Sequence, residues 1–235
     1  DPTPGDRELR DLFDSQLFPG SDHIHDRPDP INPEASYLRP TPFGEIFDVV
    51  LSNAPQELLS TYPVLLLAGD IAFDDAFLSA LEGALRQGCR VLLSARHRDA
   101  LGARFDDLAR LGKVETLEPW TNPSTKRPTA ISNVRLAQLR DELLPIRIEG
   151  DPIQYQINRT PDGWAVELVN NAGVIKKRDF PAKTDPTAVA RVTLTPRIPC
   201  AAIEEWRSGR THSPADSISV EIGPGATEFI ALRLP

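Results

Sequence analysis

The chain has 235 residues, of which 40% are hydrophobic and 26% are charged, and its formal net charge is −8. This composition is typical of a globular protein, and the length is sufficient for one large or two ordinary domains. The excess of acidic residues argues against a nucleic-acid partner, which requires a basic surface, and no apolar run approaches the roughly 20 residues of a membrane-spanning helix. We therefore predict neither a nucleic-acid nor a membrane partner.

The first 39 residues are rich in Pro, Asp and Arg. Residues 7–16 have the apolar spacing of a short helix, and the prolines that follow disfavour regular structure because each fixes φ and removes a backbone donor. We predict an extended arm or linker over residues 1–39. Because the chain starts at Asp1 and contains no Met, we also expect it to be part of a longer protein.

Residues 40–144 have the pattern of an α/β domain. The aliphatic run at residues 64–67 ends at Gly69 and Asp70, which is typical of a central strand buried on both faces. Strand-like and helix-like segments alternate on either side of this run, an order that predicts a doubly wound parallel sheet. The other elements predicted for this domain are at residues 46–51, 55–60, 74–87, 89–94, 99–111, 113–117 and 133–143.

Beyond Leu144 the spacing of apolar residues changes from helical to alternating, which predicts a second domain over residues 145–235. The turn residues between Thr160 and Gly163 predict a hairpin. Seven short strands with turn signals between them predict a small antiparallel β-sandwich. The predicted strands are at residues 146–148, 153–157, 164–169, 188–194, 200–206, 217–222 and 227–234.

Residues 62–71 and 87–94 form a pattern of strand, Gly-Asp, helix, Gly and strand, with Cys89 in place of a usual second glycine. Short segments such as Asp162-Gly163-Trp164 look like hairpins of a terminal sandwich. On these motifs, residues 40–235 resemble the C-terminal region of the family 42 β-galactosidases, which are multidomain glycoside hydrolases. In that family a catalytic barrel is followed by a class I glutamine-amidotransferase-like α/β domain and a small β-sandwich, and the resemblance implies the same two domains here.

The resemblance also implies a function. In such proteins the amidotransferase-like domain is generally not the catalyst. We therefore expect a non-catalytic C-terminal module that packs on an upstream catalytic domain of the same protein and shapes a glycan site or a homo-oligomer. An extracellular or periplasmic location is implied by the resemblance alone. Two alternatives remain open: a free-standing hydrolase that uses acids at the carboxyl edge of the sheet, and a glycan-binding protein.

The carboxyl ends of parallel strands are where open α/β sheets bind ligands. Asp70 follows the predicted central strand, Glu45 flanks the strand before it, and His97 and Arg98 follow the next one. We therefore predict these four residues as ligand-binding candidates. Each also has a structural interpretation, because an acid after a strand often caps a helix and exposed charges often form only weak surface ion pairs.

The three tryptophans, Trp120, Trp164 and Trp206, are candidates for platforms on which a sugar stacks. Trp164 is in phase with the core face of its predicted strand and is expected to be buried. Trp120 lies in a predicted loop near the edge of the α/β domain, and it is the preferred ligand candidate of the three.

The sequence contains no recognisable catalytic set. An amidotransferase nucleophile is a cysteine between glycines at a strand-to-helix turn. Cys89 instead opens a strand and Cys200 lies in the other half of the chain, so both are expected to be buried thiols. His23 and His25 have the spacing of chelating ligands, but no third ligand is evident. We therefore predict neither a metal nor any other cofactor.

Overall fold

The computed structural model describes residues 2–18, 41, 43–44, 47–123, 126, 128–175, 181–213 and 217–235. Contacts between residues divide the chain into two units. Unit 1 consists of Asp1–Gln16 and Asp48–Leu136, and unit 2 consists of Leu17–Phe47 and Ala137–Pro235. The predicted mixture of parallel α/β and antiparallel β structure is confirmed. The domain boundaries predicted at residues 39/40 and 144/145 stay predictions.

Unit 1 contains a three-stranded parallel sheet in the order β1-β2-β3, formed by Val64–Leu66, Arg90–Ser94 and Val114–Leu117. No helix of the described residues is long and apolar enough to cross a membrane. Helices α1 to α6 are Pro4–Asp11, Gln56–Leu59, Asp75–Arg86, Ala95–Leu101, Arg104–Leu111 and Asn133–Leu143, and the π-helical segment Leu12–Leu17 follows α1. A short antiparallel pair is formed by Trp120–Thr121 (β4) and Pro128–Thr129 (β5).

The middle strand β2 is the centre of the unit 1 core. Val91, Leu92 and Leu93 are at most 1% exposed. They pair on both sides in parallel register, with Val91 opposite Leu65 of β1 and Leu93 opposite Thr116 of β3. A strand that is paired on both sides and covered on both faces matches the uninterrupted apolar sequence of β2.

Helix α3 covers this sheet and follows its sequence signals closely. Asp74 caps its N-terminus, because the Asp74 carboxylate accepts a hydrogen bond of 2.8 Å from the Phe77 amide. The apolar face of the helix includes Leu81 and Leu85, which are buried in the core cluster that also contains Val91. The prediction of a helix over residues 74–87 is confirmed to within one residue at each end.

The predicted central position of the strand at residues 64–67 is wrong. β1 lies at the edge of the sheet and is only partly buried, whereas β2 occupies the centre. A short aliphatic run indicates burial but does not determine which strand has neighbours on both sides. Residues 47–51, the described part of the predicted first strand, are not in a strand, and Val49 and Leu51 are 70% and 72% exposed. The described strands follow in sequential order, so double winding stays a prediction.

The single helix predicted over residues 99–111 is also wrong, because α4 and α5 are separated at Gly102. Gly102 has a φ of +54°, which a helix interior does not accommodate and which glycine adopts readily. Helix α4 starts directly after β2, since the Ser94 hydroxyl accepts a hydrogen bond of 3.4 Å from the His97 amide. The residues that directly follow β2 therefore form the first turn of α4.

The described residues of unit 2 form two larger antiparallel sheets, in the orders β14-β11-β6 and β13-β12-β15-β8-β7, and a two-stranded antiparallel pair, β10-β9. Inward-facing residues of both sheets, such as Val192 and Ile230, belong to one apolar core cluster, which is compatible with the predicted β-sandwich. Each of the seven predicted strands is present. Strands β6 to β15 are Ile146–Gly150, Gln154–Thr160, Gly163–Val169, Val174–Ile175, Lys183–Thr184, Ala190–Pro196, Ala202–Glu205, Thr211–His212, Ile218–Ile222 and Thr227–Arg233.

The hairpin between β7 and β8 depends on a glycine. Gly163 opens β8 opposite Arg233 of β15. A Cβ atom on Gly163 would lie 1.8 Å from the carbonyl oxygen of Leu232, which is a backbone atom of the adjacent strand and cannot rotate away. Gly223, in the turn between β14 and β15, has no atom within 4 Å of the corresponding position. The two glycines therefore differ in how much space a side chain would have.

We expect Gly163→Ala to lower the free energy of unfolding by about 1–3 kcal/mol, because the added methyl group forces β8 and β15 apart. The matched variant Gly223→Ala should change it by no more than about 0.5 kcal/mol. Urea unfolding monitored by circular dichroism measures both. Equal stability of the two variants would contradict the close approach of β8 and β15 at Gly163.

Candidate functional site

The carboxyl ends of β1 and β2 lie at the same edge of the unit 1 sheet. β1 is followed by Gly69 and Asp70, and β2 continues into α4, whose first turn contains Arg96 and His97. Because β1 and β2 are neighbouring parallel strands, the residues that follow them come together. The structure thus brings two of the predicted candidates, Asp70 and His97, to one place.

Arg96 is the positively charged centre of this edge. Its Nη1 donates to Asp70 Oδ1 at 2.5 Å, and its Nη2 donates to Glu8 Oε2 at 2.6 Å and to the Gly69 carbonyl oxygen at 2.7 Å. The Glu8 side chain is only 11% exposed. A carboxylate that is largely removed from water depends on its cation, because loss of the partner leaves a desolvated charge unpaired. Arg96 therefore links the end of β1 to helix α1.

Helix α1 starts at this edge and makes further contacts with Asp70. Thr3 is the N-cap residue: its hydroxyl accepts a 3.0 Å hydrogen bond from the Asp6 amide, and the Asp6 carboxylate accepts one of 3.0 Å from the Thr3 amide. The Thr3 hydroxyl also donates to Asp70, and the Gly5 amide bonds the same carboxylate. The Asp70 carboxylate consequently lies at the positive end of the α1 dipole.

Two glycines allow α1 to approach the end of β1. A Cβ atom on Gly5 would lie 2.3 Å from Cγ of Asp70. Gly69 has a φ of +80°, and a Cβ atom there would lie 2.5 Å from Cδ1 of Leu9. Side chains at either position would push the helix away from the sheet. Both Gly5 in α1 and Gly69 after β1 are therefore in close contact with the other element.

The surroundings of Asp70 favour its charged form. The hydrogen bond from the Thr3 hydroxyl is the largest cause that lowers the pKa of Asp70; desolvation opposes it, and the bond and charge of Arg96 add to it. An aspartate whose pKa is lowered in the folded protein stabilises the fold at pH values above its ordinary pKa, which is 3.8. That contribution is lost as the pH falls through the lowered pKa of the folded protein.

His97 is held by internal hydrogen bonds on both ring nitrogens. Its Nε2 lies 2.8 Å from the Gly69 carbonyl oxygen, and its Nδ1 lies 3.1 Å from the Ser94 hydroxyl. A carbonyl can only accept, so Nε2 carries the proton and Nδ1 accepts from Ser94. The buried ring also meets Phe73 edge-on, with ring centroids 6.0 Å apart. The imidazole thus positions Gly69 beneath α1.

The other predicted candidates are not part of this cluster. Arg98 forms an exposed ion pair of 3.5 Å with Asp99. Trp120 is partly exposed and lies in β4 opposite Thr129 of β5, so the expectation of a loop at Trp120 is wrong. Glu45 lies outside the described residues. The ligand-binding role of the predicted candidates stays a prediction.

Neither cysteine belongs to the cluster. Cys89 and Cys200 are buried thiols that form no disulfide. Burial raises the pKa of both thiols, and a backbone hydrogen bond involving Leu65 offsets only part of this rise at Cys89. The described residues contain no group of three His, Cys, Asp or Glu side chains that could hold a metal ion, and His23 and His25 lie outside them.

The cluster members Thr3, Glu8 and Arg96 are not among the predicted site residues; the prediction instead names Arg98, which lies on the same helix as Arg96 but outside the cluster. The pattern Thr3-Pro4-Gly5-Asp6 is a capping box with proline at the first helical position, and it indicates a helix that starts at Pro4 rather than at residue 7. No local pattern indicates that Glu8 pairs with Arg96, because 88 positions separate them.

Comparisons with known proteins give one distant likeness. No protein-family model and no curated protein matches the chain. Among solved structures, the chain is similar to a rhamnosidase from Novosphingobium sp. PP1Y, a glycoside hydrolase, with 15% sequence identity and a TM-score of 0.42. The similar region covers 73% of this chain but only 17% of the rhamnosidase chain.

We expect Arg96→Met to weaken the attachment of α1, because it leaves the largely buried Glu8 carboxylate without its cation. Amide hydrogen exchange in α1 should accelerate by about tenfold or more, which corresponds to a local cost of ~1–3 kcal/mol. Arg98→Met is the matched control on the same helix, and its effect should stay within about 0.5 kcal/mol. Equal exchange rates in α1 of the two variants would contradict the role of Arg96.

Proposed function

We propose that this chain is a non-catalytic module of a carbohydrate-active hydrolase. In this proposal it packs on a catalytic domain of the same protein, lies C-terminal to it, and shapes a glycan site or a homo-oligomer. In this proposal, residues 40–144 are the amidotransferase-like domain and residues 145–235 are the terminal β-sandwich of the resemblance described above. The resemblance over residues 40–235 supports the kind of parent protein, and the geometry of the unit 1 sheet edge supports the non-catalytic role.

The observation that carries the proposal is the occupation of the sheet edge by α1. Open α/β sheets bind ligands at the carboxyl ends of their strands. Here Asp70 bonds Thr3 and Arg96, and the second carboxylate at Arg96 is Glu8 of α1. Although the Arg96 and Asp70 side chains remain 39% and 46% exposed, their charged groups are bonded to each other and to a helix of the same chain.

The state of the nucleophilic and basic side chains also supports this role. Thiol nucleophiles act as thiolates, and burial raises the pKa of both Cys89 and Cys200. A general base needs a ring nitrogen with an open lone pair toward its substrate, whereas Nδ1 of His97 accepts from Ser94 and Nε2 donates to Gly69. These groups are therefore suited to holding the fold together.

The proposal is tested by assaying the purified chain on chromogenic glycosides, including rhamnosides and galactosides. We expect no turnover above buffer for the wild-type chain, because its acids at the sheet edge are paired internally. Turnover that is lost in Asp70→Asn but retained in Asp107→Asn, an exposed acid in an ion pair with Arg110, would favour a free-standing hydrolase and contradict the proposal.

A second measurement tests the link to a parent enzyme. Sequencing the messenger RNA that encodes the chain should show an open reading frame that continues upstream of Asp1 and encodes a hydrolase domain. A start codon immediately before the codon of Asp1 would contradict the C-terminal module, whatever the outcome of the glycoside assay.

A further inference from the structure

Strand β7 is an open edge of the five-stranded sheet in unit 2. It pairs with β8 on one side, and no strand of the described residues pairs with its other side. Gln156, Asn158 and Arg159 of this strand are exposed. An open edge presents backbone N–H and C=O groups in the geometry that another strand can bind. The edge of β7 is therefore a candidate surface for the addition of a strand.

Two hydrogen bonds between β8 and β15 determine the direction of the backbone groups in β8. The Leu234 amide donates to the Asp162 carbonyl oxygen at 3.0 Å, and the Asn170 amide donates to the Ala226 carbonyl oxygen at 3.1 Å. These bonds flank the residue pairs at the two ends of the β8–β15 ladder. The end residues of β8 consequently direct their own N–H and C=O groups to β7.

The directions of the backbone groups in β7 follow from its register with β8. The direction alternates along a strand, so every second residue of β7 bonds β8, namely Gln154, Gln156, Asn158 and Thr160. The N–H and C=O groups of Tyr155, Ile157 and Arg159 point away from the sheet. None of the hydrogen bonds between described residues involves these groups. They are available to a further strand.

The other open strands of unit 2 are shorter or contain acidic residues. Among the described strands, β9, β10 and β13 have two residues each, β6 contains Glu149 and β14 contains Glu221. Strand β7 has seven residues, with no acid, lysine or proline, and Arg159 is its one charged residue. Natural edge strands are usually protected from pairing by charges, prolines, bulges or short length. Strand β7 is thus the least protected of these edges.

We propose that β7 pairs antiparallel with β7 of a second copy of this chain. A two-fold axis at Ile157 places this residue opposite its own copy and places Tyr155 opposite Arg159 of the second copy. Each pair formed by the outward-pointing residues can then exchange two backbone hydrogen bonds, and the two five-stranded sheets join into one. Both copies use the same surface, so the contact closes at a dimer.

The uncharged side chains that face each other in this register are complementary. Gln156 lies opposite Asn158 of the second copy on the outer face of the sheet, and two amide side chains in cross-strand positions can exchange hydrogen bonds. Ile157 packs against the core of its own chain on the inner face, and its copy extends this apolar contact. A second copy therefore matches β7 along its length.

The charged residue of β7 does not oppose self-pairing. The Arg159 guanidinium lies 5.6 Å from the centre of the Trp164 ring in its own chain. Trp164 is partly buried here, although the sequence predicts full burial. In the proposed register Arg159 faces Tyr155 of the second copy, so the two Arg159 side chains are not opposite each other. No like charges are therefore paired across the contact.

This dimer is a form of the homo-oligomer in the proposed function, but the inference rests on the geometry of β7 alone. Turnover of glycosides by the purified chain would contradict the module role and would leave the dimer unaffected. The two proposals therefore fail in different experiments.

Sedimentation velocity of the full chain tests the dimer. Because a contact between strand edges is small, we expect weak association, with a mean mass that rises towards twice that of the monomer between about 1 µM and about 200 µM. Gln156→Lys/Asn158→Lys places like charges opposite each other and should weaken association about tenfold or more. The matched variant Ser217→Lys/Ser219→Lys adds the same charge to two exposed serines at β14 and should leave association unchanged. Circular dichroism checks that each variant is folded.

A mixture of oppositely charged variants tests the register. Gln156→Glu/Asn158→Glu should also associate more weakly than the wild-type chain. Mixed with Gln156→Lys/Asn158→Lys, it should associate about tenfold or more tightly than either variant alone, because opposite charges then face each other. A mixture that associates no better than its components would overturn the proposed register.

Amide hydrogen exchange of the wild-type chain identifies the strand without a variant. The amides of Tyr155, Ile157 and Arg159 should exchange about tenfold or more slowly at high protein concentration than at low concentration. The amides of Gln156 and Asn158 already bond β8 and should change less. The proposal would be overturned by a wild-type chain that stays monomeric, by equal weakening in the β14 variant, or by protection without this alternation.

Discussion

The structure of unit 1 depends on the guanidinium group of Arg96, which bonds Asp70 through Nη1 and Glu8 through Nη2. These contacts join the end of β1 to a helix from the start of the chain. Because Glu8 is largely buried, the ion pair is needed to avoid a desolvated, unpaired charge. The capping of α1 by Thr3, whose hydroxyl also donates to Asp70, adds a second link at the same point.

Buried carboxylates have different structural roles in the two units. In unit 1, Glu8 pairs with Arg96 at the sheet edge where an α/β domain usually receives its ligand. In unit 2, Glu205 is bonded by Arg210 within one turn, and the same turn carries Trp206, whose ring stacks on Phe229. The first arrangement joins a helix to the sheet edge, whereas the second holds a turn between two strands in place.

Local features could be predicted from the sequence because their causes are local. Residues 74–87 contain both the capping residue and the apolar face of α3, and the strands of unit 2 alternate visibly along the chain. The order of β1 and β2 could not be predicted, since an aliphatic run indicates burial but not neighbours. The pairing of Glu8 with Arg96 could not be predicted either, because it joins two helices that are distant in sequence. The positions of the strand ends were sufficient to predict that Asp70 and His97 lie at the same edge of the sheet. They were not sufficient to predict what each side chain contacts there.

The most direct test of the account is the contact between α1 and the end of β1. A Cβ atom on Gly69 would lie 2.5 Å from Cδ1 of Leu9, so the protons of the two residues are close in space. An NMR spectrum of the methyl-labelled chain should therefore show nuclear Overhauser effects between the Leu9 methyl groups and the Gly69 α protons. Their absence, in spectra where the contacts within α3 are visible, would mean that α1 does not occupy the sheet edge and would contradict the account.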